Sequence, residues 1–193
     1  MRRAPGLIAA VSLTALCAAA CRGERQAYTG APASYGFGRA ASPEEIRAWD
    51  TDVRPDGLGL PRGAGTARQG APIYARKCAM CHGATGKEGP FDVLVGREPR
   101  DFSFGRDVAL VQTIGNYWPY ATTIYDYINR AMPQDAPGSL TPEEVYALTA
   151  FLLWKNEIVT ETTLIDARTL PRVVMPAHDR FVPDNRAGGK EIR

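Results

Sequence analysis

Cys78, Ala79, Met80, Cys81 and His82 are consecutive in the chain, and Gly83 follows them. Two thiols three positions apart, with an imidazole directly after the second, can hold a zinc ion, exchange with a disulfide, or anchor a porphyrin whose iron the imidazole then reaches. A structural zinc site needs another closely spaced ligand pair, and a thioredoxin-like dithiol needs a strand-helix-strand setting. The sequence offers neither. C-x-x-C-H is the attachment signature of c-type haem, so Cys78 and Cys81 are expected to form thioethers and His82 to be the proximal iron ligand. The motif occurs once, which predicts one covalent haem c.

An electron-transfer haem usually takes a sixth ligand, and methionine in that position raises the reduction potential. Of the four methionines, Met1 belongs to the leader and Met80 lies between the two anchoring cysteines, where it fills space on the attachment face. Met132 and Met175 remain, each followed by proline. A residue before proline is pushed out of helical geometry, so Met132 stands where a helix must end and can turn its sulfur inward. Met175 and His178, the other histidine, lie in a segment with few apolar neighbours and read as surface residues of a tail. Met132 is therefore the preferred sixth ligand, with Met175 and His178 as alternatives.

These side chains need elements to carry them. Residues 67–83 predict a helix running into the motif, with Ala71, Ile73, Tyr74 and Lys77 on one face and Gly83 as the stop. Residues 84–105 read mostly as loop. From about Pro119 to Ala131 the positions Ile124, Tyr127, Ile128 and Ala131 recur at helical spacing, and Pro133 ends the run. Thr141-Pro-Glu-Glu144 is a capping box that opens a last helix, on which Val145, Leu148, Phe151 and Leu152 form a broad apolar face. Ser42-Pro-Glu-Glu45 is a second such box, opening a short helix with Trp49 as its apolar anchor. No alternating run predicts a substantial sheet. The fold class expected is all-α, with residues 67–158 as the domain, 21–66 as an N-terminal arm and 159–193 as an extended C-terminal arm.

Residues 1–20 contain Arg2 and Arg3 followed by an apolar run that suits an export signal and is short for a membrane span. Ala18-Ala19-Ala20 before Cys21 resembles a bacterial lipobox, which predicts lipidation of Cys21 and attachment to a membrane; plain cleavage nearby is the alternative. The expected location is periplasmic or otherwise extracytoplasmic. Loss of Arg2 and Arg3 leaves 21 basic against 21 acidic side chains, and that balance argues against nucleic acid as a partner. Cys17 and Cys21 fall in or at the signal and Cys78 and Cys81 in the motif, so no disulfide framework is left.

The order of helix, C-x-x-C-H-G, a G-x-x-G-x-E-G-P loop, helix, Met-Pro and C-terminal helix resembles the class I cytochromes c over about residues 67–158. The resemblance implies a small cytochrome c fold in which Gly70 and Tyr74 meet the last helix near Tyr146 and Phe151. It also implies that the Pro90 carbonyl accepts a hydrogen bond from His82 and that Met132 is the distal ligand. Arg97 and Trp118 would hydrogen-bond haem propionates; alternatively they cap the core and solvate the surface. More narrowly, YGFGRAASPEEIRAWDTDVRPDGLGLPRG, TIGNYWPYATTIYDYINRAMPQDAPGSLTPEEVYALTAFLLWKNEIV and VVMPAHDRFVPDNR resemble the cytochrome subunits of molybdenum-dependent sulfite or sulfane dehydrogenases. Sulfane dehydrogenase cytochromes typically carry two haems, and the single motif here favours the sulfite dehydrogenase type.

No general base, nucleophile pair or phosphate loop stands out in the rest of the chain, so catalysis by the polypeptide is not expected. The implied role is that of an electron-transfer subunit, between a molybdopterin dehydrogenase and a downstream cytochrome or oxidase. A free or lipid-anchored respiratory shuttle, and a haem enzyme or sensor with an open sixth position, are the alternatives.

Overall fold

A computed structural model describes residues 36–100 and 109–182. The leader and Cys21 lie outside the described residues. All the secondary structure described falls between Pro43 and Arg180.

The helices are α1 (Pro43–Trp49), α2 (Ala67–Lys77), α3 (Ala79–His82), α4 (Ala121–Ala131) and α5 (Pro142–Lys155). Two-residue strands β1 (Ala64–Gly65) and β2 (Ile165–Asp166) pair antiparallel, with Ala64 opposite Asp166 and Gly65 opposite Ile165. Tight turns at Leu170–Arg172 and His178–Arg180 complete the order. The all-α expectation holds, and the strands only tie the start of α2 to the segment after α5.

Helix boundaries follow the local chemistry. Thr141 accepts the Glu144 N–H while the Glu144 side chain accepts the Thr141 N–H, which satisfies two free donors at the start of α5. A third box, which the sequence reading overlooked, opens α2, where Thr66 and Gln69 cap each other in the same way. Helix α4 ends at Met132, whose backbone is extended (φ −123°, ψ 149°), as its position before Pro133 requires.

Helix α5 is the centre of the core, with residues 145–153 all buried, so it is enclosed on every side and not along one face. It packs chiefly on α2. Gly70 lies against the Ala147 carbonyl and the Phe151 side chain with no room for a Cβ, and the Tyr74 and Phe151 rings stack with centroids 4.8 Å apart. Helix α4 adds Ile124, Tyr125 and Ile128. Tyr125 meets Tyr146 at 4.5 Å, and the Tyr146 hydroxyl donates to the Pro61 carbonyl at 2.8 Å.

Several expectations need correction. Trp49 is 87% exposed and α1 buries no residue, because a two-turn helix lying off the core has nothing to anchor to. On α4 it is Tyr125 that is buried, while Tyr127 is 47% exposed; two positions apart, they point to nearly opposite sides of the helix. Met175 is no surface residue. It is 2% exposed and shares the core with Ile165 and Leu170, so residues 159–177 are laid on the domain and close it. The stretch around Val53 is fastened too: the Val53 N–H donates to Asp126 Oδ1 at 2.8 Å, and Asp126 is in turn paired with Arg130. Among the described residues, no helix is long and apolar enough to cross a membrane.

Candidate cofactor site

The chain turns sharply at Cys78, which ends α2 and begins α3 (φ −125°, ψ −35°). That break lets both cysteines and the histidine share one turn. Cys78 and Cys81 are free and half-buried. Burial pushes the Cys78 thiol up to about 11, with Lys77 pulling it back and Cys81 adding to the rise. Among the described residues, no group of three or more His, Cys, Asp and Glu side chains is placed to hold a metal ion.

His82 Nδ1 lies 2.9 Å from the Asp92 carbonyl. An N–H on Nδ1 donating there leaves Nε2 as the metal-binding nitrogen and fixes the plane of the ring. The expected acceptor was Pro90. The carbonyl that reaches the ring belongs two residues later, because Phe91 first turns back to donate its N–H to Cys81 O at 3.2 Å. Met80, expected to fill space, is instead 85% exposed.

The loop from Gly83 to Asp92 is folded tightly on the motif. Gly83, at φ +79°, ends α3 in a conformation that other residues rarely adopt, and Gly89 lies against Cys81 O with no room for a Cβ. Tyr74 Oη donates to Gly83 O at 3.0 Å, and burial pushes its phenol up to about 12, so it stays a donor. The Glu88 carboxylate accepts the Thr85 N–H at 3.1 Å, the Thr85 hydroxyl, and the Lys87 N–H at 3.4 Å. These bonds, led by the Thr85 hydroxyl, hold Glu88 below the usual carboxylate range. The Leu94 and Val95 N–H groups then donate to Gly86 O.

Met132 sits at the C-terminal cap of α4, half-buried against the core. Trp118 is also half-buried and meets Tyr127 edge-on at 6.0 Å. Arg97 Nη1 donates to the carbonyls of Asn156 and Glu157, each at 3.2 Å, and thus caps the end of α5; that is the alternative role the sequence allowed it. Fully buried Asn156 accepts the Gly96 N–H and donates to the carbonyls of Leu94 and Leu152. Sequence reasoning missed it, since a single asparagine after a helix carries no signal. His178 is half-exposed, with Nδ1 at 2.8 Å from Asp179.

The donor set suits haem c: two free thiols beside a histidine with its Nδ1 engaged, and a thioether on a separate helix end. Cys78, Ala79, Leu94, Trp118 and Met132 add apolar side chains that pack on the core yet stay half-buried. Helical fold and motif together define a c-type cytochrome.

Comparison with known proteins agrees. The family model described as cytochrome C oxidase, cbb3-type, subunit III matches residues 65–152. A chain in the crystal structure of the sulfane dehydrogenase SoxCD from Paracoccus pantotrophus is 40% identical, with a TM-score of 0.69 over 82% of this chain and 76% of that one. No curated protein matches. The chain belongs to the cytochrome c family, and within it resembles the cytochrome subunit of the sulfite and sulfane dehydrogenases.

Proposed function

We propose that this protein is an exported monohaem cytochrome that accepts single electrons from a molybdopterin sulfite dehydrogenase and passes them to another cytochrome or an oxidase. The observation that carries the reading is the 40% identity to a sulfane dehydrogenase chain across 82% of this sequence, a span longer than residues 67–158 alone. The likeness therefore includes arm segments, which a generic cytochrome domain would not share. The single C-x-x-C-H favours a sulfite over a sulfane dehydrogenase as the partner.

In this reading Cys78 and Cys81 hold haem c, His82 and Met132 ligate its iron, and the bound haem supplies one-electron, outer-sphere transfer. Trp118 meets a propionate, and Arg97 does so while capping α5. Lipid on Cys21 keeps the protein at a membrane outside the cytoplasm. Oxidation of one sulfite to sulfate with water releases two electrons and two protons, so two molecules of cytochrome are reduced per turnover.

The test is stopped-flow mixing of oxidised holoprotein with a molybdopterin sulfite dehydrogenase and sulfite. The expected result is haem reduction at a rate that saturates with cytochrome concentration, two haems per sulfite. If the dehydrogenase turns over with an artificial acceptor but leaves this cytochrome oxidised, the assignment fails. A second reading, a free or lipid-anchored shuttle within a respiratory chain, is favoured by the oxidase-subunit description of the matching family model. Reduction by a quinol-oxidising complex, and none by the dehydrogenase, would select it.

A further inference from the structure

We infer that Glu88 is a positioning residue for His82: its carboxylate clamps the loop that presents the Asp92 carbonyl to the imidazole, and so sets the ring's orientation and its strength as a ligand. The inference rests on the reading of His82 as the iron ligand. The path is short and continuous. Among the described residues the loop grips the His82 ring at Asp92 O, 2.9 Å from Nδ1, and Asp92 is held in place by its neighbours. On one side, Phe91 N–H donates to Cys81 O. On the other, Leu94 and Val95 hang from Gly86 O at 2.9 and 3.1 Å.

Gly86 itself depends on the turn from Gly83 to Glu88. Its own N–H reaches Gly83 O at a long 3.3 Å, a weak closure for a loop that must not drift. The Glu88 side chain closes that turn instead, taking both the N–H and the hydroxyl of Thr85 and the N–H of Lys87. Its Oε2 also lies directly against the Cα of Gly83, the residue after His82, where a Cβ would collide with it. A carboxylate accepting several hydrogen bonds is a stronger brace than any neutral side chain of its length. Glu88 thus touches the residue after the ligand and the turn that carries the acceptor of the ligand's N–H.

The N–H···O=C bond at Nδ1 adds electron density to the imidazole and steers which way the ring faces. Loosening the loop therefore changes properties that a simple loss of stability leaves alone. The experiment uses the ferrous holoprotein, whose diamagnetic iron permits proton NMR of the His82 Nδ1–H. In Glu88→Ala, exchange of that proton with water should rise about tenfold, the worth of a single charge-assisted hydrogen bond. The reduction potential should shift as well, and Glu88→Gln, which keeps one acceptor oxygen, should restore much of both properties.

Asp166→Ala is the control, because it removes the same kind of brace in the turn after β2, where the carboxylate accepts the N–H groups of Arg168 and Thr169. It should lower the melting temperature and leave His82 exchange and the potential unchanged. Wild-type exchange and potential in Glu88→Ala, with stability reduced as in the control, would overturn the inference. If the wild-type spectrum shows no iron-bound His82 at all, the ligand reading falls first and the positioning role falls with it.

Discussion

Replacing Gly70 by alanine tests the packing that places the motif. By helix propensity alone the change should help, since alanine is favoured over glycine inside a helix by about 1 kcal/mol. The tertiary contact says otherwise. A Cβ at Gly70 would overlap the carbonyl carbon and oxygen of Ala147 and come within 2.8 Å of Phe151 Cβ. Two of these obstacles are backbone of the most buried helix, which cannot rotate away as a side chain tip could. Helices α2 and α5 must then separate, and overpacking of this kind costs roughly 3 kcal/mol. The net effect is a loss of about 2 kcal/mol, or about 6 °C in Tm at this size. Thermal unfolding of the holoprotein followed by circular dichroism measures it. Ala147→Gly should not rescue the variant, because the carbonyl remains. An unchanged or raised Tm in Gly70→Ala would refute the reasoning, since the sign itself is the prediction.

Met132→Ala should abolish the near-infrared methionine-to-iron charge-transfer band of the oxidised protein. Met175→Ala should keep that band while losing about 2–5 kcal/mol of stability, as expected for a methionine buried in the core; the opposite pattern would exchange their roles. Asn156→Ala should cost about 3 kcal/mol in urea unfolding, because it strands the Gly96 N–H and the Leu94 carbonyl in the interior. The Thr141 N–H, and next the Lys77 ammonium, hold Glu144 below its ordinary value of 4.5. A value lower in the folded than in the unfolded state gives stability that is present above the unfolded value and lost as pH falls through the folded one. Urea midpoints measured across the acid range should therefore fall less steeply in Glu144→Gln than in wild type, with the variant weaker at neutral pH.

Much of the architecture was legible where the chemistry is local. Thr141 with Glu144, Gly83 after the motif and Pro133 after Met132 each mark a helix end in the sequence, and the structure ends helices there. Thr66 with Gln69 carried the same kind of signal and went unread. Local signals fail where only tertiary packing decides. Tyr125 and Tyr127 are chemically alike and fall on opposite sides of α4, so periodicity alone did not choose the buried one. Met175 lies in a segment with no period because it is held residue by residue against helices placed elsewhere. The motif residues Cys78, Cys81 and His82 could be read as a group, but the choice of Asp92 over Pro90 depends on how the loop turns at Phe91.

The closing segment after α5 has a consequence for anyone who would move this domain into another protein. A cut at the end of the last long helix would follow the usual outline of the fold, yet it would remove Ile165, Leu170, Met175 and Ala177 from the interior and leave β1 without its partner. At the other end, Val53 is buried and fastened to Asp126. The portable unit therefore runs at least from Val53 to Ala177, and a fusion junction belongs outside both.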